Sequence, residues 1–275
     1  MDKISVQNLA MIVTEMCNLN CAHCLRGGCS NKMMRDEVIE KTLSQFSSIG
    51  NLAICGGEPT YAIRQLEKIF SYIIDNHIVV NQVTLVINGT RYTEDFLTVL
   101  GYIEEYINYR KLSKSLTTFA ISWDKFHYGE VERLGLLEEY KENIEKYAET
   151  KFFDGFQRLF GKLIREGNAC NLDPNLTSPL KPMQSYIAYA KPPIEFFSKK
   201  KGLCNIGPIV SVNVDGIITE ADASIDNQSS LYNYGSVLTD SIEEVFLKKK
   251  ALVVNQYRWD YLCGKAIKKY YRDEE

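Results

Sequence analysis

The feature that most constrains the fold is a repeated alternation of short apolar runs with segments of helical periodicity. Strand candidates lie at residues 9–14, 52–55, 83–87 and 117–122. Apolar residues at helical spacing follow them, including Ile39, Leu43 and Phe46 after the first and Phe96, Leu100, Ile103 and Ile107 after the third. Four strand–helix units in a row predict a parallel sheet covered on both faces. We expect a fifth strand within residues 156–164.

Residues of unusual chemistry follow each strand candidate. Cysteines follow the first, Gly56-Gly57-Glu58-Pro59 the second, Asn88-Gly89-Thr90 the third and Ser122-Trp123-Asp124 the fourth. In a parallel α/β fold, the loops after the carboxyl ends of the strands share one edge, where ligands bind. We therefore expect these side chains to converge although they are far apart in the sequence.

The composition narrows the class of protein. The 275 residues are 45% hydrophobic, which is enough for a sizeable core in one large domain or slightly more. A net charge of -3 disfavours a nucleic-acid partner. We find no signal peptide and no apolar run of membrane-spanning length, so we expect a cytoplasmic protein with no membrane partner. In that reducing compartment, clustered cysteines are better interpreted as metal ligands or catalytic thiols than as disulfides.

Cys17, Cys21 and Cys24 follow a C-x3-C-x2-C spacing that admits three interpretations. A 4Fe-4S cluster held by three cysteines would leave one iron open for another ligand. Zinc could take His23 as a fourth ligand in a Cys3His site. The cysteines could also be small buried hydrophobes, which fits poorly in a polar, glycine-containing loop. Spacing alone does not separate the first two. Cys29 and Cys55 fall outside the spacing and are interpreted as structural.

The cysteine loop, followed in the next strand–helix unit by Gly56-Gly57-Glu58-Pro59, resembles the radical S-adenosylmethionine (radical SAM) superfamily. The resemblance implies a partial (β/α)6 TIM-like barrel with a small C-terminal α+β extension. It implies that the three cysteines bind one 4Fe-4S cluster, whose open iron is chelated by S-adenosylmethionine. It also implies that Gly56, Gly57, Glu58 and Pro59 approach the methionyl part of this cofactor. His23 occupies a position that is usually aromatic and lies near the adenine.

Other site residues follow from the same resemblance. Asn88 and Ser122 stand where the family often has polar contacts to the cofactor, and Asp124 and His127 supply a carboxylate and an imidazole for proton transfer with the substrate. The alternatives are a turn at Asn88-Gly89, a helix cap at Ser122 or Asp124, and a local hydrogen bond between Asp124 and His127.

The resemblance divides the chain into a barrel core, residues 1–169, and a SPASM- or twitch-like extension, residues 170–275. Within the extension we expect a β-hairpin around Asp215-Gly216, a type I′ turn dipeptide, and then a helix capped by Thr239 or Asp240. Asn168 stands where arginine is usual at the end of such barrels. Cys170, Cys204 and Cys263 could hold an auxiliary 4Fe-4S cluster, but a metal-free extension is favoured because the cysteine set is incomplete.

The implied activity is reductive cleavage of S-adenosylmethionine to a 5′-deoxyadenosyl radical that abstracts a hydrogen atom from a substrate. We expect a peptide substrate (a RiPP-type modification), with a sugar or aminoglycoside alcohol as the alternative. The first strand starts near residue 9, so a peptide would need a separate peptide-docking protein or direct capture by the C-terminal extension. We also expect an electron donor such as flavodoxin or ferredoxin. The alternative from another class is a non-catalytic protein that binds zinc or a cluster.

Overall fold

Strands and helices alternate through the first part of the chain, as the sequence predicts. The computed structural model describes residues 3–109, 116–158, 161–189 and 204–254. Five parallel strands lie side by side in chain order: β1 (Ile4–Ile12), β2 (Phe46–Cys55), β3 (Val79–Ile87), β4 (Leu116–Ser122) and β5 (Phe153–Gln157). The helices that connect them are α1 (Asp36–Leu43), α2 (Ile63–Asp75), α3 (Glu94–Tyr109), α4 (Lys125–Arg133) and α5 (Leu137–Ala148). The predicted α/β class is confirmed.

The helices pack on this sheet through the apolar faces that their periodicity predicts. The buried residues include Leu66, Ile69, Phe70 and Ile73 of α2 and Phe96, Leu100, Ile103 and Ile107 of α3. Burying a side chain of this size contributes about 1.5–3 kcal/mol relative to leaving it in water. These residues belong to one continuous apolar cluster that also contains residues of β1 to β4. No helix in the described ranges is long and apolar enough to cross a membrane.

Strand β2 begins earlier than the sequence predicts. Phe46, which we assigned to a helical face with Ile39 and Leu43, is the first residue of β2, because α1 ends at Leu43. The early part of β2 is polar, and Ser48 Oγ donates a buried hydrogen bond to Ser5 Oγ of β1 (2.7 Å). This strand segment is stabilised by polar pairing, so it has no apolar run from which the sequence pattern could predict a strand.

The sheet does not close into a complete barrel within the described residues. The fifth strand, predicted within residues 156–164, is β5, which starts at Phe153 and forms one edge of the sheet. The next strands, β6 (Leu163–Ile164) and β7 (Thr177–Ser178), pair only with each other in a separate two-stranded sheet. The predicted sixth barrel strand therefore lies outside the main sheet, and the fold is an open, partial TIM-like barrel.

The C-terminal part continues the same sheet on the other side of β1. Its elements are β8 (Tyr186–Tyr189), β9 (Cys204–Gly207), β10 (Val210–Val212), β11 (Ile217–Thr219), α6 (Ile225–Ser229), β12 (Gly235–Ser236), α7 (Ile242–Lys248) and β13 (Leu252–Val253). Both β9 and β10 pair with β1 in parallel, and Ile206, Val210 and Val212 join the same apolar cluster. The boundary between residues 169 and 170 stays a prediction, but the two parts share one sheet.

The predicted hairpin is present with a different turn. Strands β10 and β11 pair in antiparallel fashion around Asp215-Gly216. Gly216 has a φ of 84°, whereas Asp215 is outside the left-handed region. A type I′ turn needs positive φ at both central residues, so that prediction is wrong. The side-chain Oδ1 of Asn213 instead accepts hydrogen bonds from Asp215 N (3.0 Å) and Ile217 N (2.9 Å), an asparagine turn.

Helix α7 confirms the predicted helix but not its predicted cap. Ser241 is the N-cap residue, and its Oγ accepts a hydrogen bond from Glu244 N (3.2 Å). Asp240 instead turns back and accepts hydrogen bonds from Ser236 N and Thr239 Oγ1. Three consecutive residues here are good N-cap types, so the sequence alone does not select one of them.

Candidate functional site

The cysteine loop leaves the carboxyl end of β1 and is held by residues far away in the sequence. Asn20 N donates a hydrogen bond to Glu130 Oε1 of α4 (3.0 Å). Asn168, just beyond β6, donates from Nδ2 to Cys21 O (3.0 Å) and from its backbone N to Cys24 O (2.9 Å). The conformation of the loop is therefore set by two separate elements that pack against it, and sequence reasoning assigned no role to either Glu130 or Asn168.

The three motif thiols interact electrostatically with one another. Cys21 is 9% exposed, and Cys17 and Cys24 are half-buried. Burial raises the pKa of Cys17 to about 12. The pKa of Cys21 is also raised to about 12, mainly by burial and further by the neighbouring Cys17 and Cys24 thiols. Without metal the Cys17 and Cys21 thiols are protonated at neutral pH. A metal cluster binds thiolates, so loading would release these protons, and this donor set fits such a group.

The zinc alternative would require His23 as the fourth ligand beside the three cysteines. Among the described residues, no three His, Cys, Asp or Glu side chains converge closely enough to hold a single ion. A tetrahedral zinc site needs four ligand atoms at about 2.0–2.3 Å from the ion. His23, the fourth ligand that zinc would require, pairs through Nε2 with Asp124 Oδ2 (3.2 Å). A 4Fe-4S cluster is larger than one ion and needs only three thiolates standing further apart.

The two glycines after β2 let the backbone run against the segment that leads into the cysteine loop. Gly57 N donates to Thr14 O (2.8 Å), and Glu58 N donates to Met16 O (2.7 Å). Gly56 has a φ of 151°, and a Cβ there would lie 2.5 Å from Thr14 O. A Cβ on Gly57 would collide with Met16 O. Both positions therefore require glycine, and the two predicted motifs form one unit.

Glu58 is a buried carboxylate that joins this glycine loop to β3. It is 1% exposed; Oε1 accepts hydrogen bonds from Thr60 N (3.1 Å) and Thr60 Oγ1 (2.7 Å), and Oε2 accepts one from Asn88 N (2.6 Å). It caps the short 3-10 helix Pro59–Tyr61, in which Pro59 is the first residue. Burial raises the pKa of Glu58 to about 7, and these hydrogen bonds oppose the shift. Both carboxylate oxygens therefore bind protein groups, and the cofactor contact predicted for Glu58 stays a prediction.

Asn88, at the end of β3, is 7% exposed and bonds to the cysteine loop. Its Oδ1 accepts hydrogen bonds from Thr90 N (2.9 Å) and Thr90 Oγ1 (2.7 Å). Its Nδ2 donates to Asn18 Oδ1 (2.9 Å) and lies 3.8 Å from Cys17 Sγ. The cofactor contact predicted for Asn88 stays a prediction, because the side chain as placed bonds to the protein.

Asp124 and His23 form an ion-pairing contact at the end of β4. Asp124 is the N-cap of α4, and its Oδ1 accepts from Phe126 N (2.9 Å) and His127 N (3.0 Å). Burial opposes ionisation of Asp124, but hydrogen bonds from His23 and these backbone donors outweigh it and hold the pKa below its usual range. The His23 ring stacks on Phe126, with centroids 5.3 Å apart. Its Nδ1 is buried without a hydrogen-bond partner in the described part of the chain, so it is available to a ligand.

His127 and Ser122 face protein rather than open space. His127 is 2% exposed; its Nε2 lies 2.9 Å from Asn88 O and its Nδ1 lies 3.8 Å from Cys21 Sγ. Burial lowers the pKa of His127. Ser122 is half-buried, and its carbonyl accepts from Tyr140 OH (2.8 Å). The proton-transfer role of His127 stays a prediction, and both imidazole nitrogens already have neighbours.

A three-residue clamp, residues 166–168, joins the cysteine loop to the extension and was missed by the sequence analysis. On one side Asn168 holds the cysteine loop, as described above. On the other, Glu166 accepts hydrogen bonds from Ser224 N (2.9 Å) and from Asn227 Nδ2 (2.6 Å to Oε2). Between them Gly167 has a φ of 56°, and a Cβ there would lie 2.5 Å from Cys24 O. The only signal in the sequence was the unusual asparagine at 168.

A second contact ties the extension to the same loop. Arg26 Nη1 donates to Ala223 O (2.9 Å), and Ile225 N donates to Arg26 O (3.0 Å). Asp222 lies beside this contact; burial raises its pKa, and the charge of Arg26 opposes the shift. The residues that follow the hairpin therefore pack against the cysteine loop.

Of the remaining cysteines, Cys29 lies beside the motif, where its thiol hydrogen-bonds with Cys17 and interacts with Cys24. Cys29 is exposed, and Cys55 ends β2 half-buried. Cys170 is exposed in a 3-10 helix, whereas Cys204 is buried in β9, where burial raises its pKa to about 12. Cys263 lies outside the described residues.

Comparison with known proteins gives, among others, a partial relative and two solved structures. The probable GTP 3′,8-cyclase of Pyrococcus abyssi is 33% identical over 87 residues, which are 29% of this chain and 28% of that protein. The structure of anSMEcpe with bound AdoMet has 14% identity and a TM-score of 0.49, over 88% of this chain and 80% of that one. BtrN in complex with AdoMet and 2-DOIA has 16% identity and a TM-score of 0.47, over 90% and 83%.

The chain also matches a family model, over a longer segment than its match to the Pyrococcus abyssi protein. It spans under a third of the length of that protein. The matched segment, residues 11–161, contains the cysteine loop, the glycine loop, Asn88 and the end of β4. It covers more than half of the sequence. The chain belongs to the radical SAM superfamily.

Proposed function

We propose that the protein is a radical SAM enzyme that cleaves S-adenosylmethionine reductively and abstracts a hydrogen atom from a substrate. One 4Fe-4S cluster bound by Cys17, Cys21 and Cys24 is the proposed electron source. The observation that carries the proposal is the backbone pairing of the glycine loop with residues 14–16, directly before Cys17. The predicted cluster loop and the predicted cofactor loop are thereby fixed to each other, as a cofactor that touches both would require.

When bound, the cluster supplies one electron and the cofactor supplies a sulfonium whose cleavage yields a 5′-deoxyadenosyl radical. The residues of this chain would bind and orient the cluster and the cofactor and shield them from solvent. The three thiolates would ligate the cluster, the backbone of Gly56 to Pro59 would approach the methionyl group, and the stacked His23 ring would offer a flat surface whose Nδ1 has no hydrogen-bond partner in the described part of the chain. Ser122 and Asn88 line the neighbouring strand ends and are proposed as further cofactor contacts.

Asp124 is the proposed proton acceptor for the substrate, with His127 as the second candidate. The low pKa of Asp124 keeps its carboxylate ionised at neutral pH, which an acceptor needs. His127 is more deeply buried, so a proton would reach it only after its present contacts change. Both assignments predict that substitution slows substrate conversion without preventing cluster binding.

The proposed substrate is a peptide, with a sugar or aminoglycoside alcohol as the alternative to be tested in parallel. A flavodoxin- or ferredoxin-like donor and a separate peptide-docking protein are the proposed partners, and the proposed location is the cytoplasm. We propose that the extension carries no auxiliary cluster. Cys170 is exposed on a 3-10 helix while Cys204 is buried inside a strand, an unpromising pair for a shared cluster.

Anaerobic quantitation of iron and sulfide tests the proposal. We expect about four irons per chain in the wild type and none in a Cys17→Ala/Cys21→Ala/Cys24→Ala variant. Cys29→Ala is the matched control, because it removes a thiol of the same loop and should keep the iron. Incubating the reduced protein with S-adenosylmethionine should then release 5′-deoxyadenosine.

The alternative results are equally clear. About eight irons per chain, half of them retained in the triple variant, would show an auxiliary cluster in the extension. Zinc without iron would contradict the proposed function. Iron with cofactor binding but no 5′-deoxyadenosine would indicate a non-catalytic cluster protein.

A further inference from the structure

Asn88 uses every polar group that it has to connect the loops around the motif cysteines. Its backbone N–H donates to Glu58 of the glycine loop, and its carbonyl accepts from His127. Its side chain bonds to Thr90 on one side and to Asn18 and Cys17 on the other. The end of β3 is thus bonded to the elements that surround the motif cysteines.

The orientation of the Asn88 amide follows from its partners. The backbone N–H of Thr90 can only donate, so the atom that faces it at 2.9 Å must be Oδ1. The NH2 group consequently faces the other way. One of its hydrogens is directed at Asn18 Oδ1 (2.9 Å), which leaves the second for Cys17 Sγ (3.8 Å).

Cys17 and Cys21 have different hydrogen-bonding environments. The sulfur of Cys17 receives two N–H groups, from Asn88 and from the backbone of Leu19 (3.5 Å). The sulfur of Cys21 faces Nδ1 of His127. Because Asn88 O can only accept, Nε2 of His127 carries its proton, and Nδ1 of the neutral ring has none to donate.

We propose that Asn88 is a positioning residue that sets the reduction potential of the cluster, through an N–H···S hydrogen bond to the Cys17 thiolate. This rests on the proposed function, since it requires that Cys17 ligates a cluster. Reduction adds one negative charge, part of which lies on the ligand sulfurs. An N–H dipole aimed at that sulfur stabilises the reduced cluster more than the oxidised one, and so makes the potential less negative.

Redox titration followed by electron paramagnetic resonance, without substrate or S-adenosylmethionine, tests the proposal in the reconstituted protein. Asn88→Asp keeps an oxygen for Thr90 but replaces the donor near Cys17 by an acceptor, and Asn88→Ala removes the side chain. Asn18→Ala is the matched control within the network, because it removes a partner of Asn88 but leaves the N–H that faces Cys17. Asn76→Asp is the exposed control, at the residue that follows α2.

We expect a more negative potential in Asn88→Ala, a still more negative one in Asn88→Asp, and the wild-type value in both controls. Equal potentials in all five proteins would overturn the inference while leaving the proposed function intact. Loss of the cluster from both Asn88 variants with an unchanged melting temperature would also overturn it, because Asn88 would then be needed for assembly. Absence of any cluster from the wild type would instead contradict the proposed function.

Discussion

At the scale of single residues, Glu58 is a buried carboxyl group whose pKa is shifted strongly by its surroundings. Its pKa rises from the ordinary 4.5 to about 7 because the carboxyl is buried, although three hydrogen-bond donors favour the charged form. The folded state therefore holds this proton more tightly than the unfolded state. The resulting stabilisation is fully present below about pH 4.5 and is lost as the pH rises through about 7.

We expect Glu58→Gln to remove this pH dependence and to lower the free energy of unfolding by about 1–3 kcal/mol. The amide NH2 of glutamine must face either Thr60 N or Asn88 N, so a buried donor meets a donor. Thermal melts of the metal-free proteins at about pH 5 and about pH 8 check both points. The melting temperature of the wild type should exceed that of the variant by more at the lower pH. An equal difference at both values would show that Glu58 titrates normally.

Gly57 offers a steric test of the link between the two loops. A Cβ there would collide with the carbonyl of Met16, immediately before Cys17, so we expect Gly57→Ala to bind less iron than the wild type. Gly101→Ala is the matched control. The Cβ at Gly101 has nothing within 4 Å, and alanine stabilises a helix interior by about 0.5–1 kcal/mol relative to glycine. Full iron content in Gly57→Ala would show that the glycine loop does not constrain the cysteine loop.

At the scale of elements, the clamp of residues 166–168 holds two parts of the molecule with adjacent side chains. Glu166 binds the residues around the start of α6, and Asn168 binds the carbonyls of the cysteine loop. Glu166 is 6% exposed, so its hydrogen bonds are screened little by water. A displacement of the extension would therefore be transmitted to the carbonyls beside Cys21 and Cys24.

We expect Glu166→Ala to lower the free energy of unfolding by about 1–3 kcal/mol, because Ser224 N and Asn227 lose a buried carboxylate acceptor. The extension should also become more sensitive to protease. Glu132→Ala, at an exposed position of α4, is the control and should behave like the wild type. Chemical denaturation and limited proteolysis measure the two effects. Unchanged cleavage of residues 204–254 in Glu166→Ala would mean that the clamp does not hold the extension.

At the scale of the whole molecule, the order of β1 to β5 and the edge at which their loops meet could be predicted from the sequence. Both follow from local periodicity and from the geometry of parallel strands. The hydrogen bonds that hold the cysteine loop in place could not be predicted from the sequence. Asn20 and Glu130 are 110 residues apart, and Cys21 and Asn168 are 147 apart, so no local pattern marks these hydrogen bonds. The early start of β2 was missed for a similar reason, since its pairing with β1 involves buried polar residues.

The pairing of β9 and β10 with β1 bears on the predicted division at residue 169. A chain ending at residue 169 would leave one edge of β1 unpaired, and Val6 and Leu9 of this strand would lose their partners there. Exposed apolar strand edges promote aggregation. We expect residues 1–169 alone to be largely insoluble and to show no cooperative thermal unfolding by circular dichroism, in contrast to the full chain. A soluble fragment with a sharp transition would instead support two separable domains.

The position of β1 has a consequence for biosynthesis. Among the described strands β1 is synthesised before the others, yet partners on one of its sides follow much later in the chain: Asn8 bonds to Pro208, 200 residues later. Until then the cysteine loop lacks the contacts of Arg26 with Ala223 and Ile225. Closing so long a loop is slow, because its entropy is lost before the contacts form. A nascent chain would therefore expose its cysteine loop for much of its synthesis, until residues 223–225 are made and cover one side of that loop.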